Sequence, residues 1–206
     1  MKPVNRSYFW CGGCIVMLLL SCHLWAAAAT VGNITAVLGK VELIIAATGE
    51  KRPAVKGDTV NENDRIQTLA DTKAKVILND ETVLSIGPNA ELVIDKFVLN
   101  SVEDEGSVGI SLKKGLFKYL SGNIAKNKGK VEIRIPNAVL TVRGTSAVIN
   151  IPDDGGLVSI KTLTGELNLT NAAGVITQIT AGYEVKFNSS TSSVISFTSF
   201  ADGCKA

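Results

Sequence analysis

The sequence predicts an all-β protein, an antiparallel β-sandwich preceded by a cleavable signal peptide. Three observations carry that expectation. Between Val31 and Phe187, runs rich in Val, Ile, Leu and Thr are broken roughly every eight to twelve residues by Gly, Asn, Asp or Pro, the punctuation of short strands and turns. No segment sustains a 3.6-residue apolar stripe, so helices are not expected. Lys2 and Arg6 precede an apolar run from Tyr8 to Trp25 that ends in Ala26-Ala27-Ala28-Ala29. A charged start, a short apolar middle and an A-x-A exit are what the export machinery and signal peptidase read.

Cleavage is expected after Ala29, leaving a mature chain from Thr30. As a membrane anchor the leading segment is poor: a spanning helix needs about 20 apolar residues, and Gly12, Gly13, Ser21 and His23 interrupt this one. A periplasmic location follows, with the processed protein not integral to the membrane. A minor alternative is a lipoprotein, because Leu19-Leu20-Ser21-Cys22 resembles a lipidation box that would make Cys22 the first mature residue. Leu20 and the apolar residues after Cys22 argue against it. Three segments result: a signal peptide over 1–29, a β domain over 30–187, and a flexible Ser/Thr-rich tail over 188–206.

Removal of the leader takes Trp10, Cys11, Cys14, Met17, Cys22, His23 and Trp25 with it. What remains has no histidine, and its one cysteine is Cys204. That composition excludes Ser-His-Asp and Cys-His triads, His-ligated zinc and a Cys-x-x-Cys redox pair. No catalytic residue, cofactor or metal is nominated, and the expectation is a protein that is not an enzyme. The leader also holds two of the 21 basic residues and none of the 19 acidic ones, so the mature chain is balanced at 19 against 19. A formally neutral exported chain gives no reason to expect nucleic acid as a partner. About 177 residues remain after position 29, enough for one domain with its own core.

Taken in order, strands are expected at Lys75–Leu78, Thr82–Ile86, Glu91–Ile94, Lys130–Ile135, Leu157–Ile160, Glu166–Leu169 and Glu184–Phe187. In Lys130-Val-Glu-Ile-Arg-Ile135 the apolar residues alternate with charged ones, so one face is buried and one is wet. Asn79-Asp80, Gly87-Pro88-Asn89, Asp153-Asp154-Gly155-Gly156 and Thr164-Gly165 supply turn residues that tolerate positive φ or pre-set it. Ser111–Leu120 makes at most one turn of helix, and Gly115 argues against that. Pro88-Asn-Ala-Glu-Leu-Val-Ile94 is echoed by Pro136-Asn-Ala-Val-Leu-Thr-Val142, each reading as a turn that feeds a strand. One echo falls short of a repeat array, and a sandwich using one turn twice is the simpler reading. Val194–Phe200 reads either as a last strand or as part of the tail.

An ordered set of motifs then resembles a known family. The set runs from Gly57-Asp58 and Asp64-Arg65-Ile66-Gln67-Thr68, through the stretch Ala74 to Ala90, to Ile135-Pro136-Asn137-Ala138 and Val142-Arg143-Gly144-Thr145. Leu163-Thr164-Gly165-Glu166-Leu167 and Ala181-Gly182-Tyr183-Glu184-Val185 close it. Together these resemble the FecR domain from about Lys56 to Phe187. The resemblance implies a periplasmic, jelly-roll-like β-sandwich of the kind that, in the regulator naming the family, relays transporter occupancy toward a sigma factor. This chain looks like a stand-alone exported member, a non-catalytic binding module that serves as a signalling or regulatory partner of an envelope protein.

Five residues are candidates for partner binding. Arg143-Gly144-Thr145 places a guanidinium, able to grip a carboxylate or phosphate through two hydrogen bonds, beside a glycine and a hydroxyl. The competing reading has Arg143 paired with an internal acid such as Asp58 or Asp80, with Gly144 forming a bulge. Lys113, Lys114 and Lys118 begin a basic stretch that continues through Lys126, Lys128, Lys130 and Arg134, with Glu132 as its one acid. Such a face would bind an anionic envelope polymer, with Phe117 and Tyr119 adding stacking, and a structural envelope protein is the alternative function. Solvated lysines protecting sheet edges are the plainer account. Asp58, Asn61, Glu62, Asn63 and Asp64 lack the spacing of a calcium loop and read as turn chemistry. Cys204 either crosslinks to another chain or stays idle.

Overall fold

The computed structural model describes residues 29–100, 105–127 and 129–200. The leader, including Cys22, and Cys204 lie outside the described residues. Among the described residues fifteen strands and one short helix occur, in the order β1 (Thr30–Leu38), β2 (Val41–Ile44), β3 (Lys51–Pro53), β4 (Thr59–Asn61), β5 (Arg65–Thr68), β6 (Lys73–Leu78), β7 (Val83–Ile86), β8 (Glu91–Asn100) and β9 (Glu105–Leu120). There follow α1 (Asn123–Lys126), β10 (Lys130–Ile135), β11 (Ala138–Ile151), β12 (Leu157–Asn171), β13 (Ile176–Thr180), β14 (Tyr183–Asn188) and β15 (Ser193–Ser199). The protein is all-β, as its sequence predicts.

Long strands that change partners part-way organise these elements into two layers. Up to Lys114, β9 pairs with β8 and, in parallel, with β10; from Gly115 onward it pairs with β11, joined from Phe117 by β7. Strands β11 and β12 behave the same way. Their layer-switch falls at Gly144 (φ +60°), where the β11–β12 register slips between Arg143 and Ser146, opposite Gly165 (φ +73°). Each switch uses a glycine because the left-handed backbone that re-aims the strand is open to it at little cost. One layer therefore runs β4-β1-β6-β7-β9-β11-β12-β14-β15 and the other β3-β2-β5-β8-β9-β10-β11-β12-β13. All these pairings are antiparallel except β9–β10, whose crossover contains α1.

Alternation along each strand fills a single core between the layers. Phe117, Ile149, Ile160 and Val185 line one row across the first layer, while Ile66, Leu92, Ile110, Ile133 and Leu140 come from the second. The echoed turns use the same backbone: Asn89 (φ +50°) and Asn137 (φ +59°) both sit in the left-handed region after a proline. Each sends a buried alanine, Ala90 or Ala138, into the next strand. One such turn closes the β10–β11 hairpin, and the other carries the chain from β7 in one layer to β8 in the other.

Two expectations change. Leu157–Ile160 and Glu166–Leu169 belong to one strand, β12, because Gly165 bends the chain within the ladder instead of reversing it. The stretch 188–206 is not wholly a flexible tail. Ser193–Ser199 forms β15, whose backbone pairs with β14 from Tyr183 to Asn188, and backbone pairing outweighs the polar composition.

Candidate functional site

Arg143 is exposed on the outer face of β11, directly opposite Glu166 on β12. It does not pair with the internal acids. Asp58 accepts instead from Arg52 Nη1 at 2.7 Å and from the Val55 N–H at 2.8 Å, closing its own turn. Asp80 is buried and accepts from the Thr82 N–H at 3.0 Å and the Thr82 hydroxyl at 2.9 Å. The bulge at Gly144 is present.

Thr145 does not face a partner. It is 1% exposed, its hydroxyl donates to the carbonyls of Glu166 and Arg143, and its N–H donates to Ser121 Oγ at 2.8 Å. This hydroxyl holds the bulge closed, since a register slip leaves carbonyls without ladder partners. Phe117 and Tyr119 are likewise buried, so neither can stack on a surface ligand. Burial raises the Tyr119 hydroxyl to about 12, helped by the nearby Asp80 charge and opposed by its hydrogen bond with Ser121.

The basic stretch does not form one face. Lys118 lies on the outer face of the β6-β7-β9-β11 layer, whereas Lys113 and Arg134 stand on the β8-β9-β10 layer. Acids also partner much of it. Lys114 bonds Asp153 at 3.0 Å, Lys130 bonds Glu132 at 2.6 Å, and Arg134 reaches Asp95 and Glu132 at 3.0 and 3.1 Å. Lys113 and Lys118 are exposed and form no ion pair among the described residues. Lys128 lies outside the described residues. Sequence order joined charges that the bend of β9 at Gly115 separates.

In the oxygen-rich loop, Asp64 is buried and accepts from the backbone N–H groups of Ala46 and Asn61 at 2.8 and 2.9 Å. Its carboxylate therefore organises the β4–β5 turn. The Arg52 hydrogen bond, with that of the Val55 N–H, holds Asp58 below the usual carboxylate range. Glu132 is lowered chiefly by Lys130, and Glu184 chiefly by the Ser159 hydroxyl. A carboxylate depressed in the folded state stabilises the fold above its unfolded value and loses that contribution as pH falls through the folded one. The thermal midpoint is therefore expected to hold from pH 7 to about 5 and to drop below about pH 4. Asp58→Asn should lower the midpoint at pH 7 and shrink the acid-induced drop; an acid profile equal to the wild type's would mean that Asp58 has no part in it.

The sequence did not single out the outer edges. Strands β3 and β4 are three residues long, and β3 carries Lys51, Arg52 and Pro53, the kind of residues that discourage strand addition. Strands β13 and β15 are different: neither Ile-Thr-Gln-Ile-Thr nor the longer Ser-Val-Ile-Ser-Phe-Thr-Ser has a charge or a proline, and among the described residues β13 pairs with β12 alone and β15 with β14 alone. Ile195 and Phe197 are 55% and 47% exposed, and the Phe197 ring lies 5.0 Å from that of Tyr183.

A family model described as FecR protein matches residues 64–168, from the start of β5 into β12. The chain belongs to the FecR family. The matched span of the FecR domain contains β9, β11 and β12 as far as Asn168, with both echoed turns. Two crystal structures of a candidate anti-sigma factor from Parabacteroides distasonis ATCC 8503 share the fold at a TM-score of 0.52 and 13% identity, covering 66% of this chain. The chain spans 59% of the length of that protein, and the likeness is one of fold. Comparison with curated proteins finds no match. No helix among the described residues of this FecR protein is long and apolar enough to cross a membrane.

Proposed function

We propose that this FecR protein is a non-catalytic binding module with a signalling or regulatory role, acting in the periplasm as the partner of an envelope protein. Family membership supports the regulatory role, and the charged, interrupted apolar leader supports export. The single observation that carries the docking mode is the open edge of β15. Its outer N–H and C=O groups, unpaired among the described residues, and its exposed Ile195 and Phe197 suit a partner strand that adds to the sheet, with main-chain bonds giving affinity and side-chain contacts giving specificity. Arg143, exposed beside the Gly144 bulge, is the second contact proposed, and Lys113 a third.

The test is crosslinking in cells followed by recovery of the processed protein and mass spectrometry. Wild type should recover one dominant envelope protein, with a mature N-terminus at Thr30. The pair Ile195→Lys/Phe197→Lys should lower that recovery by about tenfold, because charge on an edge strand opposes strand addition. Undiminished recovery would eliminate the β15 edge, and unchanged recovery with Arg143→Ala would eliminate Arg143. Recovery of anionic envelope polymer without a dominant protein, weakened by salt, would replace the signalling reading with the structural one.

A further inference from the structure

On the outer face of the first layer, Ala36, Lys75, Ser85, Lys118 and Val148 are consecutive cross-strand partners over β1, β6, β7, β9 and β11. Directly opposed residues share a face, so Lys75 and Lys118 stand on either side of Ser85. The adjoining row runs Leu38, Lys73, Gly87 and Leu116, in which the Gly87 N–H donates to the Leu116 carbonyl at 2.7 Å. Gly87 adds no side chain to that row, and Ala36 and Ser85 are small. A groove of about 550 Å³ therefore opens between Leu38 and Leu116, which are 63% and 43% exposed.

This hollow is lined mainly by apolar residues, and the charged residues that line it are all lysines. Lys73, Lys75 and Lys118 are exposed and form no ion pair among the described residues. On the same face the next acid beyond Val148 is Glu184, three strands from Lys118 and bonded to Lys161 at 3.4 Å. The volume falls in the range of small-molecule sites, about 300–1,000 Å³. A peptide suits the floor poorly, because β6, β7 and β9, which form most of it, already pair on both sides and offer a guest no main-chain partner. An alkyl chain needs none.

We propose that this groove binds a single-chain fatty carboxylate. The alkyl chain lies against Leu38, Gly87 and Leu116, and the carboxylate accepts hydrogen bonds from Lys75, Lys118 and the Ser85 hydroxyl. Long lysine side chains suit this arrangement, since their stems cover apolar surface while their charged ends converge on an anion. The site is independent of the β15 edge, which lies at the far end of the same layer.

The test is calorimetric titration of the processed protein with dodecanoate below its micellar concentration, with amide chemical-shift mapping to locate binding. Saturable one-to-one binding is expected, with shifts concentrated at residues 85–88 and 116–118. Lys75→Glu/Lys118→Glu should weaken it by about tenfold or more while the thermal midpoint is kept. Lys75→Gln/Lys118→Gln supplies the same test with less charge change should the first pair fold poorly. Dodecyltrimethylammonium should not compete. Absence of saturable binding, shifts centred on β15, equal competition by the cation, or indifference to both lysine pairs would each overturn the site. Tighter binding of dodecyl phosphate would overturn the carboxylate assignment.

Discussion

Gly115→Ala is expected to unfold the protein under conditions in which the wild type is stable. Gly115 has φ +103°, a conformation that side-chain-bearing residues rarely adopt, and an alanine there carries strain of about 1–3 kcal/mol from the backbone alone. The steric clash costs more. A Cβ at this position would stand 2.3 Å from the Ala90 Cβ and 2.4 Å from the Ala90 Cα. Ala90 cannot retreat: it is fully buried, its N–H donates to Thr68 Oγ1 at 2.8 Å, and its carbonyl accepts from the Thr68 N–H at 2.9 Å. Moving either backbone would break the point where β9 leaves β8 and β10 and joins β11 and β7. The combined cost is on the order of 4 kcal/mol or more, against a typical total stability of about 5–15 kcal/mol. Gly144→Ala is the control, because Gly144 has φ +60° with no atom within 4 Å of the added Cβ. That variant carries only the left-handed penalty of about 1–2 kcal/mol. Urea unfolding of both variants decides the matter, and similar losses would mean that strain, and not the Ala90 contact, governs the bend.

That bend also marks how far the sequence could be read. Strand and turn positions follow from local chemistry. Alternation in β10 placed Val131, Ile133 and Ile135 inside, and the Pro-Asn pairs at 88 and 136 specified turns that the fold uses twice. What local chemistry cannot tell is whether a glycine reverses the chain or only re-aims it. Thr164-Gly165 reads as a reversal, yet its positive φ serves a bulge matched to Gly144 some twenty residues earlier on the neighbouring strand. The candidate residues divided for the same reason. Residue type marked Arg143 and Thr145 together, but alternation through the bulge leaves Arg143 outside and buries Thr145. The lysines of 113–118 read as one cluster until the bend distributed them between layers. The groove beside Lys118 was illegible, because its other walls come from β1 and β6, distant in sequence.

Ile124→Ala is the second large effect expected, a loss of about 2–5 kcal/mol, against about 0.5–1.5 kcal/mol for Ile124→Val. On its own, α1 is weak. Four residues cannot sustain a helix in water, and the Gly122 N-cap offers no side-chain bond to its open N–H groups. The element exists because Ile124 and Ala125 are buried at one end of the core. The surrounding backbone has made room for that one side chain. An added Cβ at Gly129 would meet Ile124 Cγ2 at 2.5 Å, and one at Gly106 would meet Ile124 Cδ1 at 2.9 Å. Two glycines fitted so closely to one isoleucine cannot collapse onto an alanine, so the cavity persists and the loss falls in the upper part of the range. The consequence is topological as well as energetic. Here the chain crosses from the end of β9 to begin β10, the strand that pairs with β9 in parallel. A loosened Ile124 should therefore speed amide exchange across β10 and the first half of β11 before it touches β6 or β7. Exchange that rises equally in all strands would instead mean that the two layers open together and that α1 is not a local clasp.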